Sequence, residues 1–104
     1  MIKHIKADEY QKEVVESKVP TLVDFWATWC GPCQAQGRIL EELDKEIVPG
    51  KAQICKVNVD EEEALASEFD VETIPTLLFY KDGEITNRAV GVRDKESLKR
   101  LLGI

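Results

Sequence analysis

The sequence predicts a mixed α/β fold: one five-stranded mixed β-sheet flanked by four α-helices. Two groups of residues predict it. Thr21–Trp26 is a short apolar run rich in strand formers, and the residues after Cys33 place Leu40, Leu43 and Ile47 on one helical face. Ala52–Asp60 reads as a further strand, so these segments make a β–α–β crossover. Further along, Thr76–Tyr80 and Ile85–Val90 flank Lys81-Asp82-Gly83, a hairpin signal that demands antiparallel pairing. A crossover early and a hairpin late require a mixed sheet.

The elements follow in order. Ile2–Lys6 fits a short strand, and Asp8 is expected to cap a helix with Gln11 in capping-box position and Val14 on the apolar side. The strand from Thr21 and the long helix come next, and Pro49-Gly50 ends the helical pattern. Ala52–Asp60 is expected to be a central strand. Ala64, Leu65 and Phe69 then mark a short helix, whose first turn fits Glu61-Glu62-Glu63 because acids favour the positive end of the dipole. A docking patch for a basic partner is the alternative reading of that acidic run. After the hairpin, Asp94 caps a last helix carrying Leu98, Leu101 and Leu102.

A length of 104 residues fits a single domain spanning residues 1–104, and no Gly/Ser-rich linker divides it. At 43% hydrophobic, the chain can bury a core without several disulfides. Its net charge of -6 argues against nonspecific nucleic-acid binding. Met1-Ile2-Lys3-His4 lacks the apolar stretch of a signal peptide, and no run is long enough to span a bilayer. These features are consistent with a reducing cytoplasm and no membrane partner, a setting where paired cysteines are usually catalytic.

The chemistry resides in Trp29-Cys30-Gly31-Pro32-Cys33, at the junction of strand and helix. At a helix start, residues i and i+3 have Cβ atoms roughly 5–6 Å apart, and a disulfide tolerates Cα separations of about 4.4–6.8 Å. Cys30 and Cys33 can therefore bridge and open with little backbone movement. Pro32 suits the first helical turn, where its missing N–H costs nothing, and Gly31 leaves Cys30 open to an incoming disulfide. Unpaired helix N–H groups and the dipole favour a thiolate at Cys30, by roughly 0.3–1 kcal/mol and up to ~2 when partly buried. That is enough to favour attack near neutrality but not deep into acid. Cys30 is accordingly the candidate nucleophile, and Cys33 the resolving thiol.

Asp24 interrupts an apolar strand and has two readings: a satisfied buried acid, or the proton acceptor for Cys33. Lys56 interrupts Ile54–Val59 in the same manner and is a candidate partner for Asp24. Cys55, between Ile54 and Val57, reads as a buried small hydrophobe, with redox sensing as the alternative. His4 reads as an ordinary near-terminal side chain rather than a ligand.

With Asp24-Phe25-Trp26-Ala27, Trp29-Cys30-Gly31-Pro32-Cys33 and Ile74-Pro75-Thr76, the chain resembles the thioredoxin family, nearly end to end from Tyr10. The resemblance implies the thioredoxin fold and a reductase of protein disulfides. That reductase is recharged by a separate reductase, whose electron donor the sequence does not name. It also implies a cis peptide bond between Ile74 and Pro75; from the residues alone, a trans proline opening an edge strand is the commoner case. By the same resemblance Trp29, Ile74, Pro75, Gly91 and Val92 face substrate, and Trp26 is partly buried.

The chain departs from the family twice. Gln34 stands where Lys is usual after the second cysteine, which is expected to disfavour the Cys30 thiolate modestly. Arg38 stands where Pro usually kinks the helix, and Gly37 permits a bend without forcing one.

Rival readings are weaker. One C-x-x-C is half a zinc site, and Cys55 and His4 would have to converge on it. A binding subunit or chaperone would need no thiol pair, and Gly31-Pro32 with Asp24 favours net reduction over oxidation or isomerisation. The expectation is a monomer that uses no cofactor or metal beyond the Cys30–Cys33 disulfide.

Overall fold

The computed structural model describes residues 1–104. Strand β1 spans Ile2–His4, helix α1 Ala7–Tyr10 with a wider π-helical continuation over Gln11–Val15, β2 Thr21–Trp26 and α2 Gly31–Glu46. Strand β3 spans Gln53–Asn58, α3 Glu63–Glu68, β4 Thr76–Lys81, β5 Glu84–Val90 and α4 Lys95–Leu102. The sheet runs β1-β3-β2-β4-β5. β3 pairs in parallel with β1 and β2, whereas β4 pairs antiparallel with β2 and β5. The expected mixed five-stranded sheet with four helices is therefore present.

Strand alternation sends side chains to two cores. Val23, Phe25, Cys55, Val57 and Leu78 pack with Tyr10, Val14 and Leu65, so α1 and α3 cover one face. Leu22, Ile54, Leu77 and Phe79 pack with Leu40, Leu43, Leu98 and Leu102, so α2 and α4 cover the other. Leu40, Leu43 and Leu98 are fully buried, each worth about 2 kcal/mol in apolar transfer. Residues Thr21 to Phe25 of β2 are completely buried because the strand is paired on both edges and covered on both faces. Its near-continuous apolar sequence has that cause.

Several boundaries differ from the sequence reading: β1 ends at His4 rather than Lys6, Lys81 pairs with Glu84 as part of β4 rather than lying in the turn, and three further differences have a visible cause. Lys6, not Asp8, is the N-cap of α1: the Glu9 carboxylate accepts from Lys6 N–H at 2.9 Å, and Glu62 Oε1 accepts from Ala7 N–H at 2.8 Å. A partner 55 residues away thus helps to start that helix, and Asp8 falls within its first turn. β3 stops at Asn58 because the Asn58 side-chain oxygen accepts from Asp60 N–H at 2.9 Å and Glu61 N–H at 3.3 Å, turning the chain out of the sheet. Of the acidic run, only Glu63 lies in α3; Glu62 is its N-cap residue.

Other readings hold. Asp94 accepts from Ser97 N–H at 2.8 Å and caps α4, while Lys95 and Lys99 tie that helix to Glu46 of α2. Cys55 is a free, fully buried thiol whose pKa burial pushes up to about 12, as suits a small hydrophobe.

The β4–β5 turn is the two-residue Asp82-Gly83, with φ of 52° and 81°, the left-handed pair that a tight hairpin needs. A Cβ on Gly83 would lie 2.8 Å from the Val15 carbonyl oxygen, whereas one on Gly50, at φ 84°, would meet nothing within 4 Å. Gly83→Ala is expected to cost about 2–4 kcal/mol and Gly50→Ala about 1 kcal/mol, read from urea midpoints. Equal losses would contradict the steric account.

Candidate active site

The carboxyl end of β2 delivers a short loop straight into the amino end of α2. Cys30 is the N-cap residue, in extended conformation, and its Sγ accepts from Cys33 N–H at 3.1 Å. A helix leaves its first N–H groups without internal partners, and here sulfur takes one of them. Pro32 occupies the first turn, where no N–H is required. Cys30 and Cys33 form a disulfide with Cα atoms 5.2 Å apart. Both residues are buried, Cys30 at 5% exposure and Cys33 at 1%, so Cys30 lies nearer the surface. A Cβ on Gly31 would touch nothing within 4 Å, which leaves the approach beside Cys30 unobstructed.

Around the disulfide, Ala27, Cys30 and Cys33 form a small apolar cluster against which Trp26, Val59 and Ile74 pack. The Ile74–Pro75 peptide bond is cis, the isomer implied by the family resemblance, and the Ile74 carbonyl oxygen lies 3.8 Å from Cys30 Sγ. Thr76 Oγ1 donates to the Thr73 carbonyl, and Arg88 Nη1 and Nη2 donate to the Phe69 and Asp70 carbonyls at 2.7 and 2.9 Å. These bonds pin the loop that carries Ile74 and Pro75. Gly91, at φ 90°, donates its N–H to the Pro75 carbonyl at 2.9 Å, bringing Gly91-Val92 alongside. Trp29 is 70% exposed, with Nε1 donating to Asp60 Oδ2 at 2.7 Å, and Val92 is also exposed.

Asp24 shares its sheet face with Leu22 and so points toward α2, as does Lys56 beside Ile54. The two residues are register partners, with Lys56 Nζ 3.8 Å from Asp24 Oδ2. That separation is an ion pair but not a hydrogen bond, and neither carboxylate oxygen has a hydrogen-bond partner. Burial raises the Asp24 pKa to about 7, and the Lys56 charge only partly opposes it. Lys56 Nζ also sits 4.5 Å over the Trp26 ring, and a Cβ on Gly37 would lie 3.4 Å from that nitrogen. Cys33 and Gly37 are one turn apart on α2, so the ion pair lies beneath the helix turn that follows the disulfide.

Gln34 Nε2 donates to the Thr28 carbonyl at 3.2 Å, bracing the loop before Cys30. α2 runs unbroken through Gly37 and Arg38 to Glu46. Three residues escaped the sequence reading. Asp60 and Arg88 gave no signal, being charged residues in ordinary positions. Gln36 did give one, as a polar residue on the inward stripe Cys33, Gln36, Leu40, Leu43.

Cys55 lies in the core against α1 and α3, and His4 meets Trp26 edge-on at 6.4 Å, so neither joins the cysteine pair. No three His, Cys, Asp or Glu side chains are gathered as metal ligands. No helix is long and apolar enough to cross a membrane.

A disulfide between residues i and i+3 at a helix N-terminus, with the Ile74 carbonyl beside its first sulfur, defines a dithiol–disulfide oxidoreductase. The family model described as Thioredoxin matches residues 1–103. Over 98 residues the chain is 43% identical to the Thioredoxin of Bacillus subtilis (strain 168), covering 94% of this chain and 93% of that one. The Thioredoxin of Rickettsia felis is 41% identical over 98 residues, with 94% and 92% covered. That of Staphylococcus haemolyticus is 51% identical over 81 residues, with 78% and 77% covered. The chain belongs to the thioredoxin family, and it is a thiol–disulfide reductase.

The raised Asp24 pKa carries a sign for stability. The folded state holds this proton more tightly than the unfolded chain, whose carboxyl titrates at 3.8. Ionisation of Asp24 therefore adds no penalty below pH 3.8, and that penalty grows until pH passes about 7. The stability of Asp24→Asn relative to the parent is expected to rise by roughly 2–4 kcal/mol between pH 4 and pH 8. A gap that stays constant across that range in urea titrations would contradict it.

Proposed function

We propose that the protein reduces protein disulfides as a cytoplasmic electron carrier, acting as a monomer of one domain over residues 1–104. In this reading the thiolate of Cys30 attacks one sulfur of a substrate disulfide. A mixed disulfide forms and the other substrate sulfur leaves as a thiolate. The thiolate of Cys33 then attacks Cys30 Sγ, releasing the second substrate sulfur and closing the Cys30–Cys33 bond. The substrate gains two electrons, and the protein's dithiol loses them. A separate thioredoxin reductase, whose electron source is left open, restores the dithiol.

The observation that carries the assignment is the bond from Cys33 N–H to Cys30 Sγ at the start of α2. It sets a helix N–H against the sulfur of Cys30, the less buried residue of the pair. Gly31 and Pro32 keep the approach open and the first turn intact.

Asp24 serves as the proton acceptor for Cys33 in this reading, directly or through one water. A carboxyl brought to about 7 is divided between its two forms near neutrality, as a general base should be. Lys56 is its electrostatic partner. Trp29, Ile74, Pro75, Gly91 and Val92 form the substrate surface. Support for this comes from Ile74 beside the disulfide and from the exposed faces of Trp29 and Val92.

Cys33→Ser is expected to accumulate a covalent adduct with an oxidised protein substrate, visible as a mass increase that dithiothreitol removes. Cys30→Ser is expected to give no adduct and no turnover. Adducts through Cys33 in the Cys30→Ser chain, at a rate matching the parent, would overturn the assignment of roles.

A further inference from the structure

Gln36 is polar, completely buried and set on the inward stripe of α2, three residues after Cys33. An amide there needs partners, and it has two on one residue. Arg93 N–H donates to Gln36 Oε1 at 2.7 Å, and Gln36 Nε2 donates to the Arg93 carbonyl at 3.2 Å. This pairing resembles one rung of a sheet, formed by a side chain instead of a strand. It holds the Arg93 backbone against α2 in a single orientation.

The segment so held is short. β5 ends at Val90 and the α4 cap is Asp94, leaving Gly91, Val92 and Arg93 between them. Gly91 is fixed to the Pro75 carbonyl at one end, and Arg93 to Gln36 at the other. Val92 alone lies between the anchors, 42% exposed. α4 has its own attachments through Leu98, Leu102 and the Lys95 and Lys99 ion pairs with Glu46. Loss of the Gln36 bonds therefore releases the loop while α4 remains docked.

The geometry points to Gln36 as a positioning residue: its amide ties the Gly91–Arg93 edge of the substrate surface to the helix that carries the disulfide. Rim and reactive sulfurs then form one rigid frame for an extended protein substrate, which must meet both at once. A small disulfide needs only the sulfur. This inference rests on the reading of Gly91 and Val92 as substrate-facing.

The test compares the full-length chain with Gln36→Met, which keeps the volume and removes both bonds. Each is reduced beforehand, mixed with insulin or with hydroxyethyl disulfide, quenched in acid, and scored by mass for loss of the dithiol. Gln36→Met is expected to react with insulin about tenfold more slowly and with hydroxyethyl disulfide within about twofold of the parent. Its reduction potential is expected not to move. Equal slowing of both substrates, or no slowing with insulin, would overturn the inference.

Gln36→Glu retains the acceptor for Arg93 N–H. It is expected to fall between the two chains, and it carries the test if the methionine variant fails to fold. Val92→Asp tests the substrate surface independently of Gln36. If it leaves the insulin rate unchanged, the substrate-surface reading fails. If it slows insulin while Gln36→Met does not, the inference about Gln36 alone fails.

Discussion

Strand β2 is hydrogen-bonded along both edges and covered on both faces, and that constraint sets the position of every reacting group. Its side chains alternate between two closed cores, so a shift of one residue would send Leu22 and Asp24 into the space of Val23 and Phe25. The register is accordingly fixed, and with it the point where the chain leaves the sheet after Trp26. The chain then enters α2 at Cys30, whose sulfur takes the place of a side-chain oxygen as the helix cap. The reactive disulfide is thus at once part of a helix terminus and part of the surface.

The same burial creates the electrostatic conflict beneath α2. Asp24 lies on a strand closed to the protein surface, with no hydrogen-bond partner for either oxygen. Lys56 stands opposite but too far for a hydrogen bond, and it divides its charge between the carboxylate and the Trp26 ring. An apolar residue at position 24 would suit the core better. A carboxyl held near neutrality in this place offers a proton site to Cys33, which is nearly closed to bulk water. The destabilisation and the proposed role have one cause.

Much of this was legible in the sequence because local patterns encode it. The apolar run Thr21–Trp26, the i and i+3 cysteines, and Lys81-Asp82-Gly83 between two strand-like segments each correspond to a structural element with a direct physical reason, although Lys81 itself belongs to the strand. Asp24 and Lys56 stood out because each interrupts an apolar strand, and the register sets them opposite each other with Nζ 3.8 Å from Oδ2. What stayed hidden depends on distant partners. The start of α1 depends on Glu62, the loop before Pro75 depends on Arg88, and the exposed Trp29 indole depends on Asp60. The π-helical turn over Gln11–Val15 has no sequence signal that we can identify. Gln36 lay between these cases: its position on an apolar stripe announced a buried amide, while its partner, 57 residues on, required the fold.

In the proposed mechanism the start of α2 makes the two sulfurs unequal, with Cys30 the one that attacks. Alkylation of the reduced protein by limiting iodoacetamide at pH 7, with the modified residue mapped by mass spectrometry, tests this most directly. Modification is expected at Cys30, with Cys33 slower by at least about tenfold, because Cys30 is the less buried residue and its sulfur accepts a helix N–H that favours the thiolate. Equal labelling of the two cysteines, or preference for Cys33, would contradict it.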